Sequence, residues 1–497
     1  MDALRYIEHV NDLFRGRRRR ARALGGVPAV VLVFLLFTTC TNPTWIEHSR
    51  YTPPAALRPQ NYDSELQWNM EMINAPGAWG ILDNLEAGGV VLHPVVVAVL
   101  DTGIQADHPG LSERMLPNHH RSFTSSGSES PVSDPDGHGT HVAGIVAAVP
   151  ADDGPIFGTT TGAEDTPVKL LSVKVLSDTG GGYTSDVANG VDYVTELRVT
   201  GAVIGAHVIN LSLGEMGAAD PALFEAIGRA VDNGITVVAA SGNSDRENVF
   251  YPAGFSNTIA VGAVDGISRR WVQPGYGSNY GNGLDFMAPG ANVLSTYTGS
   301  HGSTDPVYAV LTGTSMATPH VAGIAALLYA IEPGLDQDAV YSVLRATARD
   351  LGAPGWDDYH GHGLVDVQAA LEYLMNLRRR IPRAPMGADD PGASRGISLQ
   401  TAALSGAQYP EPRADIDSQS VLLRFRDGQA PVTDADVHAF EARLKRRYGI
   451  ASARPSGVNL LMVELAPGQT ALDMLGPLGD LDEVQYSQPN YRYQVIR

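Results

Sequence analysis

The sequence predicts an α/β protein whose parallel sheet is covered by helices on both faces, followed by a small α+β domain. From about Gln67 to Met375, short β-branched apolar runs alternate with helical patterns, which is typical of buried parallel strands and their crossover helices. From Ser418 to Arg497 the order is strand, helix, strand, helix, strand, as in a small sheet with helices on one face. The segment between them is basic and then rich in Gly, Pro and small residues, which indicates a linker.

The predicted elements can be read in chain order. Strands of the larger domain are predicted at HPVVVAVLDTG, VKLLSVKVLS, AHVINLSLG, GITVVAASGN and NTIAVGAVD, with helices at SDVANGVDYVTEL and PALFEAIGRAVDNG. Strands of the smaller domain are predicted at SVLLRFRDG, VNLLMVELAPG and EVQYSQPNYRYQ, with helices at TDADVHAFEARLKRRYG and ALDMLGPLGDLD. In the last stretch, Tyr491, Tyr493 and Val495 alternate with more polar residues, which is strand periodicity.

The composition limits the possible functions. The net charge of -19 argues against a nucleic-acid surface, which needs clustered Lys and Arg. The single cysteine, Cys40, excludes intramolecular disulfides and any metal site built from several cysteines. We therefore predict five segments: an export signal or anchor at 1–40, a linker at 41–62, the larger domain at 63–376, a second linker at 377–417 and the smaller domain at 418–497.

The N-terminal segment predicts export. A basic run, RGRRRRARALGG, precedes an apolar run from Val27 to Phe37 that is shorter than the roughly 20 residues that span a bilayer. Basic residues, a short apolar region and then small residues are the order of an export signal, and twin arginines leave the export route open. LFTTC loosely resembles a lipoprotein cleavage site that would lipidate Cys40 and so allow membrane association. The alternative is a cysteine that happens to follow a signal or an uncleaved anchor.

Three polar residues at the ends of apolar runs suggest nucleophilic catalysis. Asp101 ends a buried strand, His138 lies between two glycines before a helical run, and Ser315 lies at a helix start. A nucleophilic serine needs a base within hydrogen-bond reach, and the base needs a third group that fixes its tautomer. Taken singly, each residue has a structural interpretation: a turn cap, a buried histidine and an N-cap. His141 and His320 are expected to be buried histidines of that structural kind.

The motifs VAVLDTGI, GHGTHVAG and GTSMATPHVAG resemble the three active-site motifs of the subtilisin-like serine protease family, in that family's chain order. The resemblance covers about residues 67–375 and implies that Asp101 orients the base, His138 is the general base and acid, and Ser315 is the nucleophile. It also implies that Asn243, in VVAASGN, donates to the oxyanion together with the backbone N–H of Ser315. Without the family, Asn243 is explained as a turn residue.

The same resemblance predicts the substrate cleft. Two segments match the backbone edges between which the family binds an extended peptide: Gly180, Gly181 and Gly182 on one side, and Ser212, Leu213 and Gly214 on the other. Phe250 stands where the family often has a small residue in the floor of the primary specificity pocket. We therefore expect a shallow pocket that favours small or medium side chains before the scissile bond.

We expect no required cofactor. The family's usual calcium site is not supported, because HPGL has Gly110 where HPDL would supply a carboxylate, and VPADDGPIFGTTTGAEDTP replaces the usual ligand loop. Calcium could bind differently in that loop, but solvated charges are the favoured interpretation of its acidic residues: Asp152, Asp153, Glu164 and Asp165.

The segment 418–497 resembles the ferredoxin-like pro-domain of this family, which assists folding and inhibits the enzyme by running its final strand into the cleft. In the family this domain precedes the catalytic domain, whereas here the match follows it. The alternative is an unrelated accessory or substrate-binding domain. The sequence thus predicts an exported serine endopeptidase that acts on proteins or peptides and carries its inhibitor at the C-terminal side. The rival hypothesis is a catalytically silent or permanently autoinhibited peptide-binding module.

Overall fold

The computed structural model describes two domains, which we call the larger domain (62–380) and the smaller domain (416–495). The described residues are 31–32, 62–380 and 416–495, apart from short gaps at 125–129, 151–155, 162–166, 204–205, 216–218, 299–306, 427–429, 432, 457–459, 480 and 482. The predicted N-terminal signal, the first linker and most of the second linker lie outside these residues, except for the short strand β1 (Val31–Leu32), which pairs with a strand of the larger domain.

The larger domain is built on a seven-stranded sheet in which every neighbouring pair is parallel. In sheet order its strands are β12 (Phe286–Pro289), β9 (Ile259–Val264), β8 (Thr236–Ala240), β6 (Ala206–Leu211), β2 (Val95–Asp101), β4 (Val168–Lys174) and β3 (Arg121–Ser122). The α/β prediction is therefore confirmed. The five predicted strands are all present, and the edge strands β3 and β12 were not predicted.

Helices cover both faces of this sheet, because successive strand residues point to opposite sides. Along β2, Val95, Val97 and Val99 enter one apolar core, whereas Val96 and Ala98 enter the other. The first core contains residues of α1 (Trp68–Met72), α2 (Ala75–Ala87), α3 (His138–Ala147), α6 (Thr314–Ile331), α7 (Gln337–Thr347) and α8 (Val367–Arg380). The second contains residues of α4 (Thr184–Val199) and α5 (Pro221–Asp232).

Short strands complete the larger domain at its surface. They are β5 (Gly181–Tyr183), β7 (Leu213–Gly214), the hairpin β10 (Val272–Gln273) and β11 (Tyr276–Gly277), and the antiparallel pair β13 (Val293–Tyr297) and β14 (Val307–Leu311). A 3₁₀ turn covers Ser112–Arg114. Of these, β5 and β7 are both paired by the last strand of the smaller domain.

The smaller domain has an antiparallel four-stranded sheet with two helices. Its elements are β15 (Ile416–Phe425), α9 (Asp434–Tyr448), β16 (Ser452–Pro455), β17 (Leu460–Glu464), α10 (Ala471–Gly479) and β18 (Val484–Val495), and the strand order is β16-β17-β15-β18. This is the split β-α-β-β-α-β arrangement of ferredoxin-like domains. The prediction lacked β16, a short edge strand that ends in Pro455 and so has a weak strand pattern.

Local sequence signals explain where the main helix of the smaller domain begins and ends. Thr433 caps α9 by accepting from the backbone N–H of Asp436, and the Asp436 side chain accepts from the backbone N–H of Thr433 in return. Gly449 ends the helix in the left-handed conformation, with φ 69°. Phe440 and Leu444 of this helix pack against the sheet through Val421 and Leu423, which gives the domain its own apolar core.

Candidate active site

Asp101 and His138 form a buried hydrogen-bonded pair. Asp101 is the last residue of β2, and His138 is the first residue of α3. The Asp101 Oδ1 atom lies 2.8 Å from His138 Nδ1 and also accepts from the backbone N–H of Thr102 at 2.7 Å. A carboxylate can only accept here, so Nδ1 carries the proton and Nε2 is left as the basic nitrogen. This is the tautomer that a general base requires.

A second carboxylate, which sequence reasoning missed, holds this pair in place. Asp134 is buried and accepts from Thr102 Oγ1 at 2.7 Å, and its other oxygen accepts from the backbone N–H and hydroxyl of Thr140 at 2.7 and 2.6 Å. Thr102 follows Asp101, and Thr140 lies in the first turn of the helix that begins with His138. Asp134 therefore ties the end of the strand to the start of the helix. Only its place four residues before His138 could have drawn attention to it.

Ser315 is the second residue of α6 and lies against the end of the neighbouring strand. Its hydroxyl donates to the carbonyl oxygen of Ser212 at 3.0 Å, and the hydroxyl of Ser212 donates to the carbonyl oxygen of Ser315 at 2.9 Å. Backbone N–H groups in the first turn of a helix have no partner within the helix, and the positive end of the helix dipole lies there. The position therefore favours negative charge developing beside Ser315.

Asn243 presents a buried amide donor near the start of the same helix. Its Oδ1 accepts from the backbone N–H and from the hydroxyl of Thr314 at 2.9 and 2.8 Å. A backbone N–H can only donate, so the atom facing it must be the amide oxygen, which fixes the orientation of the side chain. The Nδ2 group is buried and makes no hydrogen bond to any residue that the structure describes. Such a donor is available for an oxyanion.

The other histidines of the motifs have structural surroundings, as expected. His141 Nε2 lies 3.1 Å from the carbonyl oxygens of Val293 and Ala309, and burial lowers the pKa of His141 to about 3. His320 Nδ1 lies 2.9 Å from the carbonyl oxygen of Met316, and burial lowers the pKa of His320 to about 4. Both are neutral at physiological pH, where they serve the packing of helices α3 and α6.

The two predicted cleft edges, residues 180–182 and 212–214, overlap the short strands β5 and β7, and the last strand of the smaller domain lies between them. This strand, β18, is antiparallel to both edges: Tyr493 pairs with Gly182, Gln494 pairs with Gly181 and with Gly214, and Val495 pairs with Leu213. The predicted pairing of the final strand with both segments is thus present in the structure. Ile496 and Arg497 lie outside the described residues.

Close packing explains the glycines in the first edge. A Cβ atom on Gly182 would lie 2.4 Å from the carbonyl oxygen of Val175, which no side chain can tolerate. Gly180 has φ 79°, a left-handed conformation that L-residues rarely adopt. The run that would otherwise be a flexible loop is therefore a narrow backbone edge suited to pairing with an extended peptide.

The smaller domain also contacts the two helices behind the cleft edges. The side chain of Asn490 accepts from the backbone N–H of Ser185, in the first turn of α4, at 3.2 Å. Arg424 of β15 forms an ion pair of 2.9 Å with Glu225 of α5. Burial raises the pKa of Asp186, also in the first turn of α4, to about 7, although the positive charge of Arg454 acts against this rise. The domain is therefore docked by its sheet as well as by its final strand.

Comparison with known proteins shows the family to which this sequence belongs. The model of the subtilase family matches residues 93–363, which is more than half of the chain and includes the pair Asp101–His138, Asn243 and Ser315. The chain belongs to the subtilase family. It is a serine-type endopeptidase.

Three relatives show the extent of the similarity. This subtilase is 40% identical to Subtilisin Savinase of Lederbergia lenta over 303 residues, which are 61% of this chain and 97% of the relative. It is 38% identical to Subtilisin DY of Bacillus licheniformis over 294 residues, 58% of this chain and 95% of the relative. It is 35% identical to Thermitase of Thermoactinomyces vulgaris over 312 residues, 63% of this chain and 98% of the relative.

Phe250 lies directly beside the loop that carries Asn243. Its backbone N–H donates to the carbonyl oxygen of Ser241 at 2.9 Å. A Cβ atom on Gly242 would lie 2.8 Å from the Phe250 ring, so the ring packs on the backbone just before Asn243. Gly242 has φ 109°, which places the loop in a conformation that suits glycine. An aromatic ring therefore occupies space next to the candidate oxyanion donor.

No metal site emerges among the described residues: none of them form a group of three or more His, Cys, Asp or Glu side chains placed to hold an ion. Asp152, Asp153, Glu164 and Asp165 lie outside the described residues, as does Cys40. One described helix, Thr314–Ile331, is long and apolar enough to cross a membrane, but all of it is buried within the larger domain, as a core helix is.

Proposed function

We propose that this subtilase is an exported endopeptidase whose catalytic triad is Asp101, His138 and Ser315, and whose activity is restrained by the smaller domain. The observation that carries the catalytic part is the 2.8 Å hydrogen bond between Asp101 and His138 Nδ1, because it fixes the tautomer that makes Nε2 basic. The family match supports the reaction class, and the residues of the three motifs support the roles.

In the proposed mechanism, His138 Nε2 takes the proton of the Ser315 hydroxyl as Oγ attacks the carbonyl carbon of the substrate. The hydroxyl, which donates to the Ser212 carbonyl oxygen at 3.0 Å, must turn towards His138 for this step, and catalytic hydrogen bonds often tighten only when substrate binds. Asp101 stabilises the imidazolium. The amine leaves with the proton from His138, and water then hydrolyses the acyl-enzyme.

The developing oxyanion would be stabilised by two donors. One is Asn243 Nδ2, which is buried and held in orientation by Thr314. The other is the backbone N–H of Ser315 in the first turn of α6. Donors that are fixed before the reaction stabilise the transition state without the cost of reorganising solvent.

The substrate class we propose is an extended peptide segment of a protein or peptide, bound by strand addition. Two antiparallel edges, Gly181–Tyr183 and Leu213–Gly214, support this proposal, because β18 already occupies them in that manner. The ring of Phe250 next to Gly242 supports a shallow pocket and thus a preference for small or medium side chains before the scissile bond. We propose no required cofactor.

Restraint by the smaller domain follows from the same pairing. A substrate cannot pair with both cleft edges while β18 does so. Because the domain is covalently attached, its effective concentration at the cleft is on the order of millimolar for a flexible linker that spans the distance. The ion pair between Arg424 and Glu225 and the bond from Ser185 to Asn490 add to this docking.

Export is proposed from the sequence of residues 1–40. The basic run and the apolar run from Val27 to Phe37 support a signal, and Cys40 supports lipidation and association with the cell envelope. Mass spectrometry of the natively exported protein would decide between secretion and anchoring. An N-terminus that retains residues 1–39 without a lipid would contradict cleavage at Cys40.

A second candidate is a permanently plugged peptide-binding module, and the occupied cleft is the observation that favours it. Hydrolysis of a set of unstructured peptides tests the two functions after the smaller domain has been detached by a specific protease cut within residues 381–415. We expect turnover by the wild type and none by Ser315→Ala. Peptide binding by both proteins with turnover by neither would favour the binding module.

A further inference from the structure

A fully buried lysine, Lys174, lies beside the proposed catalytic aspartate. It is the last residue of β4, and in the parallel ladder between β2 and β4 it pairs with Asp101, the last residue of β2. Side chains of paired residues on neighbouring strands point to the same face of the sheet. The Lys174 side chain has no exposed surface, and the proposed mechanism does not use its charge.

Two acceptors hold the Lys174 ammonium group. Burial of a charged group is costly unless the group is paired and hydrogen-bonded. Lys174 Nζ donates to the carbonyl oxygen of Thr102, and it lies 2.9 Å from the carboxylate oxygen Oδ1 of Asp178. These two acceptors belong to different parts of the candidate site, so the ammonium group joins one part to the other.

The first acceptor, Thr102, belongs to the segment that orients the buried pair. Its backbone N–H donates to Asp101 Oδ1 at 2.7 Å, and the same oxygen lies 2.8 Å from His138 Nδ1. Its hydroxyl donates to Asp134 at 2.7 Å and accepts from the backbone N–H of Gly139 at 3.0 Å. A shift of Thr102 would therefore move both the carboxylate and the start of the helix that carries the histidine.

The second acceptor, Asp178, belongs to the turn that leads into the cleft edge at residues 180–182. The backbone N–H of Ser177 donates to the carbonyl oxygen of Gly181 at 2.8 Å, and the backbone N–H of Gly180 donates to the carbonyl oxygen of Ser177 at 2.9 Å. These bonds close the turn around Asp178. Strand β5 follows at once and pairs with an extended strand, as β18 shows.

We infer that Lys174 is a positioning residue that couples the cleft edge at residues 180–182 to Asp101. This inference rests on the proposed catalytic function. A peptide that pairs with the edge orders the turn at Asp178, and the ammonium group of Lys174 then holds Thr102 and the carboxylate beside it in place. Displacement of a catalytic group by about 1 Å costs on the order of 10²-fold in rate. Binding at this edge should therefore raise kcat and not only lower KM.

Two peptide substrates test the coupling: a short one that ends before this edge and a long one that pairs with Gly181–Tyr183. Both are assayed on the full chain after the specific cut within residues 381–415. For the wild type we expect the long peptide to have a lower KM and a kcat that is higher by roughly tenfold. Lys174→Met and Asp178→Ala each break the link, so both variants should keep the lower KM of the long peptide and lose its gain in kcat.

Lys169→Met is the matched control, because Lys169 lies on the same strand and its Nζ also donates to a backbone carbonyl oxygen, that of Glu113 at 2.7 Å. It should keep the gain in kcat. Asp178→Ala decides the test even where Lys174→Met does not fold, because the Asp178 side chain is 43% exposed and its removal leaves no cavity in the core.

The remaining outcomes separate this inference from the proposed function. A gain in kcat that survives in Asp178→Ala would overturn the coupling, and so would an equal loss of kcat for both peptides, since that is the effect of a general structural role. A wild type that hydrolyses both peptides with the same kcat would overturn the coupling alone. A wild type that hydrolyses neither peptide would overturn both proposals.

Discussion

Replacing Asn243 with alanine tests the proposed oxyanion site. The substitution removes Nδ2, which is buried and makes no hydrogen bond within the described part of the chain; Asn243 as a whole is 5% exposed. Loss of one such preorganised donor costs about 2.7–4 kcal/mol in the transition state, a factor of roughly 10²–10³ in kcat. The substitution also removes both hydrogen bonds from Thr314, so it lowers stability by about 1 kcal/mol for each.

The assay is kcat for a chromogenic peptide, measured after a specific cut within residues 381–415 has detached the smaller domain. Asn69→Ala is the matched control, because Asn69 is also a fully buried asparagine whose amide hydrogen-bonds a side chain, that of His320. It should lose similar stability and keep the wild-type kcat. An Asn243→Ala protein that is folded by circular dichroism and keeps the wild-type kcat would refute the role of Asn243.

Three further predictions concern the pocket, the docking contacts and pH. Phe250→Ala should extend the peptide-library profile to large aromatic residues before the scissile bond, and an unchanged profile would refute the shallow pocket. Arg424→Ala should speed fluorophosphonate labelling of the intact chain by up to about tenfold. Adding Glu225→Ala to this variant should give no further increase, because both substitutions remove the same ion pair. Labelling at the wild-type rate in all variants would contradict a docking role. Burial raises the pKa of Asp186 from 3.8 to about 7. Between these two pH values the folded protein keeps a proton that the unfolded chain has released, so the free energy of unfolding falls as pH rises from about 4 to about 7. In the inactive Ser315→Ala protein, Asp186→Asn should therefore reduce the loss of Tm between about pH 4 and pH 7, and equal losses would contradict the buried acid.

The sequence predicted the larger domain well because its strands are buried on both faces. Such strands read as continuous apolar runs, and Val95–Asp101 and Ile259–Val264 are both fully buried. The edge strand Phe286–Pro289 was missed because it is only four residues long and contains Pro289, which weakens the strand pattern. Ser452–Pro455 was missed for the same reason in the smaller domain.

The site was only partly predictable. Asp101, His138 and Ser315 became candidates because each lies at the end of an apolar run, and the resemblance of their motifs to the subtilisin-like family implied their roles. Asp134 could not be singled out, since its role depends on four donors that meet only in the folded chain. Strand periodicity indicated that the final segment is extended, but it could not supply the register against Leu213 and Gly214, which depends on how the two domains dock.

The rate at which a fluorophosphonate probe labels Ser315, before and after a specific cut within residues 381–415, tests the central claim that the smaller domain occupies the cleft of an otherwise competent protease. We predict slow labelling of the intact chain at every protein concentration, because the restraint is intramolecular. After the cut, labelling should become fast and should slow again as the protein is concentrated. Equally fast labelling of the intact and cut proteins would contradict the account.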